Sequence, residues 1–352
     1  MKILQVCPKY HPVIGGAEEY VKNISERLAK KHEVTVFACD PSGKLPREEK
    51  INGVLVRRFK SFSPGNAYHI SLKMERELKK SEFDIVHGHN YHALPLYFSR
   101  NAKRKRFIVN PYYHVYGSTL IRDFLIKLYK QFGKVLFEQA DRIITLSEYE
   151  KHLLLNDFNI NDDKISVIPN GVDLAGFDNL GGISRDSKGI LCVSRLEEYK
   201  GVQHIIKALP LLDEDFHLEI VGKGPYKARL LALIDKLQLN NRVKFYQDLP
   251  RQELHKMYAR AGVFVLLSQH EAFSIVVSEA LAAKTPCIVA NTSALSEWII
   301  NKNYFGIDYP VDNAKLAELI TKVIGTEVGD IKLWDWDDVA REILKVYGDD
   351  VR

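Results

Sequence analysis

The sequence predicts an α/β protein made of two doubly wound, parallel-sheet domains. Three observations carry that expectation: a length of 352 residues, short apolar runs alternating with helix-forming stretches, and a strand–loop–helix pattern that opens each half of the chain. A single hydrophobic core stops growing at about 250–300 residues, so this length calls for two domains. Strands separated by helical patterns imply parallel sheets with right-handed crossovers.

In the first half, residues 2–7 (KILQVC) read as the opening strand, Gly15-Gly16 as a loop, and 17–31 as a helix. Further strands are expected at 34–38, 54–59, 85–87, 106–109 and 142–146. The second half repeats the opening with a strand at 190–193, a loop at 195–201 and a helix at 202–212. Its later strands are expected at 217–221, 243–246, 263–267 and 287–290. The Gly-, Asp- and Ser-rich stretch 178–188 is the linker candidate. Trp334-Asp-Trp336 followed by 339–347 reads as a last helix. The resulting division is residues 1–175 for the first domain, with the terminal helix 337–352, and 176–336 for the second.

Hydrophobic content of 46% and charge of 27% are ordinary for a globular chain and leave no disordered or low-complexity segment. No apolar run approaches the roughly 18 residues that span a bilayer, and residues 3–7 are too short for a signal segment, so a cytosolic protein is expected. Cys7, Cys39, Cys192 and Cys287 sit singly in apolar contexts without metal-ligand spacing; reduced core residues are expected.

Charge is uneven. Residues 1–175 hold 28 Lys+Arg against 20 Asp+Glu, net +8, and residues 176–352 hold 22 against 25, net −3. The densest basic run, Arg100 to Arg106, reads as a solvated surface turn or as a patch drawn to an anionic acceptor or a membrane face. It lacks the interleaved aromatics of a nucleic-acid binder.

Two carboxylates give the strongest chemical signal. Glu271 follows the apolar strand 263–267, and Glu279 stands within the helix-forming stretch 274–283, seven residues intervening. Ligands of open parallel sheets bind at the carboxyl ends of strands, so both acids are placed to face one molecule. Upstream stand Ser194-Arg195-Leu196-Glu197-Glu198-Tyr199-Lys200-Gly201, Ile168-Pro169-Asn170-Gly171-Val172-Asp173 and Gly15-Gly16-Ala17-Glu18.

In this order and at these distances, the segments resemble the retaining nucleotide-sugar glycosyltransferases of GT-B fold, group 1 or family 4 type, over essentially the whole chain. The resemblance implies two Rossmann-like domains facing a cleft, with the C-terminal helix crossing back to the first. It implies transfer of a hexose from a UDP-, GDP- or ADP-sugar to a carbohydrate or lipid-linked acceptor, without cofactor, metal or nucleic acid. It also implies work in cell-surface polysaccharide or glycolipid synthesis, in the cytosol or peripherally on the inner membrane face.

By the same resemblance, Arg195 and Lys200 hold the diphosphate, where fixed positive charge stabilises the leaving group. Gly15 and Gly16 open a helix amino terminus to phosphate. Glu279 accepts from the ribose hydroxyls, an ionised carboxylate being acceptor-only. Glu271 lies at the transferred sugar, the backbone N–H groups of Phe273, Ser274 and Ile275 meet donor oxygens, and His114 lies by the reacting sugar. From their place at another strand end, and not from the resemblance, His87 and His89 are expected to shape the acceptor side; their spacing suggests a metal, but no third ligand motif stands nearby. A glycosidase pair fits poorly, because both acids come from one loop and helix on the donor side.

The chain departs from the family pattern at Ala272, Ser274 and Gln247, where Gly is common, and at Thr292-Ser293-Ala294-Leu295, which replaces a Gly-Gly turn. These departures bear on donor identity. A Rossmann dehydrogenase would need a GxGxxG turn after the first strand, and Pro8 to Gly16 has none. A catalytically silent scaffold of the same fold is the alternative.

Overall fold

The computed structural model describes residues 1–64, 68–114, 130, 133–178, 180, 182–300 and 304–348. The chain divides into two compact units, Met1–Gly171 with Trp336–Arg352, and Val172–Asp335.

In the first unit the strands are β1 (Lys2–Cys7), β2 (Glu33–Asp40), β3 (Glu48–Ile51), β4 (Val54–Lys60), β5 (Glu82–His89), β6 (Lys103–Asn110), β7 (Arg142–Thr145) and β8 (Ile165–Val167). They form one sheet in the order β3-β4-β2-β1-β5-β6-β7-β8. Every neighbouring pair is parallel except β3 and β4. β1 is buried at every residue after Lys2, as a largely apolar strand in a sheet covered on both faces requires, and its one polar member there, Gln5, is buried with the rest. β3 is missing from the sequence reading although its turn is legible. Asn52 and Gly53 both have positive φ, 47° and 89°, the Asn-Gly signature of a two-residue hairpin.

Helix α1 (Gly16–Leu28) buries Tyr20, Val21, Ile24, Ser25 and Leu28 along one stripe and ends three residues before the expected position. α2 (Leu72–Lys80) is capped by Ser71, α3 (Leu94–Ser99) follows β5, and α4 (Glu148–Asp157) is capped by Ser147, whose side chain accepts from Glu150 N. The basic run is not a surface turn, because its second half is the start of β6. Lys105 pairs with Asp84 at 2.7 Å, and Arg104 donates to the Ala102 carbonyl at 2.8 Å.

The second unit holds β9 (Asp186–Val193), β10 (His217–Val221), β11 (Val243–Tyr246), β12 (Ala261–Leu266), β13 (Cys287–Ala290) and β14 (Tyr304–Ile307). Their order is β11-β10-β9-β12-β13-β14, all parallel. Helices α5 (Val202–Ala208), α6 (Lys227–Lys236), α7 (Arg251–Arg260), α8 (Ile275–Ala282) and α9 (Asn313–Val323) accompany it. β8 and β14, three and four residues long, carry too little periodicity to be read from sequence. The chain leaves the first unit at Gly171, so the stretch 178–188 lies inside the second unit and runs into β9.

Helix α10 (Trp336–Tyr347) belongs to the first unit, packs on α1 and buries Trp336, Val339, Ala340, Ile343 and Tyr347. A Cβ on Gly171 would lie 2.8 Å from the backbone of Trp336, which explains the glycine of the Asn170-Gly171 segment. All four cysteines are free and buried.

Candidate functional site

In the second sheet the strand order reverses direction between β9 and β12, which lie side by side. The carboxyl ends of such a neighbouring pair are where doubly wound sheets hold ligands. From β9 the chain runs into Ser194 to Gly201, and from β12 into Leu267 to Ser274. Arg195, Lys200 and Glu271 therefore share one sheet edge.

Gly201 lets the two loops meet. It has φ 75°, and a Cβ there would lie 2.2 Å from the Leu267 carbonyl oxygen, so only glycine allows the approach. The amide of Gln269 donates to the Tyr199 carbonyl at 2.8 Å. Lys200, one residue before the glycine, then places its Nζ 2.6 Å from Glu271 Oε1, with side chains 12% and 15% exposed. Burial works against the ammonium charge, but Glu271 outweighs it and holds Lys200 above the ordinary lysine range. Arg195 is exposed, with Nη2 3.2 Å from the Tyr199 hydroxyl. Of the two cations expected at the diphosphate, Lys200 is already held by a carboxylate.

Glu279 lies on α8, and its carboxylate is buried. Tyr258 of α7 donates its hydroxyl to Oε2 at 3.0 Å, and Arg251 donates to Oε1 at 3.2 Å.

Helix α8 begins at Ile275, and Ser274 is its N-cap with φ 87°. That left-handed backbone explains why glycine is expected there, since a serine carries strain in it. The Ser274 hydroxyl is buried and makes no hydrogen bond among the described residues. Amides of a first helical turn have no intrahelical acceptor, so Phe273, Ser274 and Ile275 stand at an anion-favouring terminus. The Phe273 carbonyl accepts from Trp298 Nε1 at 3.0 Å. The turn that replaces Gly-Gly is tied to the site, with Glu271 N donating to Ser293 Oγ at 2.9 Å.

Gly15, Gly16 and His114 belong to the first unit. Gly15 is the N-cap of α1 in extended backbone, and an added Cβ there would meet the Glu18 carboxylate, so an anion at this terminus encounters a negative charge already in place. His114 is exposed and stacks on His92, ring centroids 4.0 Å apart. His87 and His89 do not line a surface, since both are fully buried. His87 Nδ1 lies 2.8 Å from the Tyr347 hydroxyl and His89 Nε2 lies 2.7 Å from Gln5 Oε1, a network that joins β1 and β5 to α10. Burial lowers the pKa of both, and His87 falls to about 3.

Sequence reasoning missed Tyr258 and Arg251, whose contact with Glu279 needs tertiary structure, and the Val221-Gly222-Lys223-Gly224 turn. There the amide of Leu196 donates to Lys223 O at 3.0 Å, and Ser194 N donates to Val221 O at 3.1 Å, fixing the Arg195 loop. Two glycines directly after a strand were the available signal.

These two units have the GT-B glycosyltransferase fold. Sucrose-phosphate synthase from Thermosynechococcus elongatus superposes with a TM-score of 0.78 at 19% identity, covering 99% of this chain and 98% of that one. Anabaena HepE in complex with UDP-glucose gives 0.79 at 18% identity, covering 99% of each chain. Residues 14–175 match the family model Glycosyltransferase Family 4, and residues 179–338 match Glycosyl transferases group 1. The chain belongs to the group 1 glycosyltransferases. An uncharacterized glycosyltransferase of Methanocaldococcus jannaschii is 29% identical over 99% of this chain and 98% of its own length.

Proposed function

We propose that this glycosyltransferase is a retaining, metal-independent enzyme that moves a hexose from a UDP-, GDP- or ADP-sugar to a carbohydrate or lipid-linked acceptor. One observation carries the reading: the neighbouring ends of β9 and β12 gather Arg195, the Lys200–Glu271 pair and the amino terminus of α8. That set matches a molecule with an anionic diphosphate and a polyol.

Arg195 and Lys200 hold the diphosphate, whose charge grows as the sugar departs. Glu279, oriented by Tyr258 and Arg251, accepts from the ribose diol. Glu271 exchanges Lys200 for the hydroxyls of the transferred sugar, while Lys200 turns to the phosphate, so neither charge is left unpaired. First-turn amides at Phe273, Ser274 and Ile275 take sugar or phosphate oxygens. Gly15 and Gly16 open α1 to a donor oxygen once the Glu18 carboxylate moves aside, and His114 lies by the reacting sugar. The acceptor hydroxyl attacks the anomeric carbon on the face from which the phosphate leaves. As the bond between that carbon and the phosphate oxygen breaks, the departing phosphate takes the acceptor's proton, so no protein base is needed and positioning supplies the rate.

A UDP-sugar is the first donor to test, because HepE holds UDP-glucose in its complex. No helix among the described residues is long and apolar enough to cross a membrane. An enzyme acting on a lipid-linked acceptor then reaches it from the cytosol through the basic first unit, and Lys103, Lys105 and Arg106 are exposed for that contact. Salt-sensitive co-sedimentation with anionic vesicles tests this step.

The function is tested by a thermal-shift screen with UDP, GDP, ADP and their sugars, followed by NMR of the product's anomeric configuration in EDTA. A ligand at 100 times its Kd stabilises by about 2.7 kcal/mol. Inverted product, or activity restored only by Mg²⁺ or Mn²⁺, contradicts the proposal; no binding and no turnover with any donor supports a silent scaffold instead.

A further inference from the structure

Glu150 is fully buried in the first turn of α4, and the donor chemistry makes no use of it. Its carboxylate accepts two backbone amides from two different strand ends. Tyr113 N, in the loop after β6, donates to Oε1 at 2.6 Å, and Leu146 N, just after β7, donates to Oε2 at 2.8 Å. Ser147 and Glu150 have the spacing of a capping box, yet the acid reaches past the N-cap to bridge these loops.

The loop it holds is strained. Tyr112 has φ 49°, a conformation that persists in a non-glycine residue only when its surroundings over-determine it. α4 supplies a second hold on the same segment, since the Tyr113 hydroxyl donates to Asp157 Oδ2 at 2.5 Å. The next residue is His114, stacked on His92. We propose that Glu150 is a positioning residue for His114, its ionised carboxylate clamping Tyr113 and Leu146 so that the imidazole keeps its place.

Only the carboxylate form offers full acceptors to both amides, because a protonated acid carries an O–H on one oxygen. No Lys, Arg or His bonds to Glu150 among the described residues, and burial pushes its pKa up to about 7, partly offset by the two amides. Among the described residues, the titratable groups facing it are Tyr20 from α1 and Tyr112 from the strained loop. Burial holds both phenols well above their ordinary range, so they stay neutral through this titration. The carboxyl nonetheless titrates above its solvated value, so an opening that wets Glu150 becomes easier as pH rises through neutrality.

The inference rests on the reading that His114 lies by the reacting sugar, and its test is independent of turnover. Amide hydrogen exchange of Tyr113 and Leu146, corrected for the intrinsic pH dependence, is measured in the full chain from pH 5.5 to 8.5, alongside the His92 and His114 ring resonances. In the wild type, protection of both amides is expected to fall about tenfold across neutrality, with the His114 resonance shifting at the same midpoint. Glu150→Gln removes this step. If Glu150→Gln lowers overall stability and the step persists, the clamp is overturned. Should the variant not fold, a flat wild-type profile overturns it alone. A His114→Ala enzyme with full transferase activity overturns the role of His114 and leaves the exchange result standing.

Discussion

Lys200 Nζ stands 2.6 Å from Glu271 Oε1, so one ion pair ties the loop after β9 to the loop after β12. Removing one member of a buried pair strands the other charge, at a cost of about 3–5 kcal/mol, while removing both costs far less. Lys200→Met should therefore lower the melting temperature more than the double variant Lys200→Met with Glu271→Gln. Calorimetric scans of the wild type, both single variants and the double complete the cycle. The pH dependence has a definite sign. Lys200 titrates above its unfolded value, so its contribution is fully present below about pH 10.4 and is lost as pH rises through the folded pKa. Lys200→Met should flatten that alkaline loss.

The partners of Glu279 predict a graded effect. Tyr258→Phe removes one hydrogen bond to Oε2, a change of about 1 kcal/mol or roughly fivefold in affinity for the nucleoside diphosphate. Glu279→Gln should lose more, and equally for diphosphate and sugar donor. Isothermal titration with both ligands checks this, and unchanged affinity in both variants would remove Glu279 from the ribose.

Much of this was legible from sequence, and the gaps have physical causes. The strands that align with unbroken apolar runs, such as 190–193 and 287–290, were found because a parallel sheet buries both faces. Edge strand β3 alternates exposed and half-buried residues and escaped. Arg195, Lys200 and Glu271 were visible as motif residues at loop positions, and Glu279 as one within a helix. Their pairing was not, because the approach at Gly201 is long-range, and a pair such as Arg251 and Glu279 leaves no periodic trace. His87 and His89 misled for the opposite reason: a histidine after a strand looks the same in sequence whether it faces solvent or, as here, a buried tyrosine of the last helix.

Ser274 holds φ 87° without the freedom of glycine. Ser274→Gly should stabilise the protein by about 0.5–1 kcal/mol through relief of that strain, part of it offset by the extra unfolded-state entropy of glycine. Thermal denaturation measures it, and a lower melting temperature would show that the serine is held by its side chain.

Arg195 is exposed, and its loss should spare the fold. Arg195→Ala is expected to keep the wild-type unfolding free energy within about 0.5 kcal/mol. Its affinity for a nucleoside diphosphate should fall by about tenfold, the 1.4 kcal/mol of one charge-assisted contact.

The central claim is that the edge formed by β9 and β12 binds the diphosphate and sugar of the donor through separable groups. Its most direct test is isothermal titration of the wild type, Glu271→Gln and Arg195→Ala with a nucleoside diphosphate and with the matching nucleotide sugar. Arg195→Ala should weaken both ligands equally. Glu271→Gln, which frees Lys200 for phosphate, should leave diphosphate binding intact or tighter and weaken the nucleotide sugar relative to the diphosphate. Parallel losses of both ligands in Glu271→Gln, or wild-type binding of both in Arg195→Ala, would contradict the account.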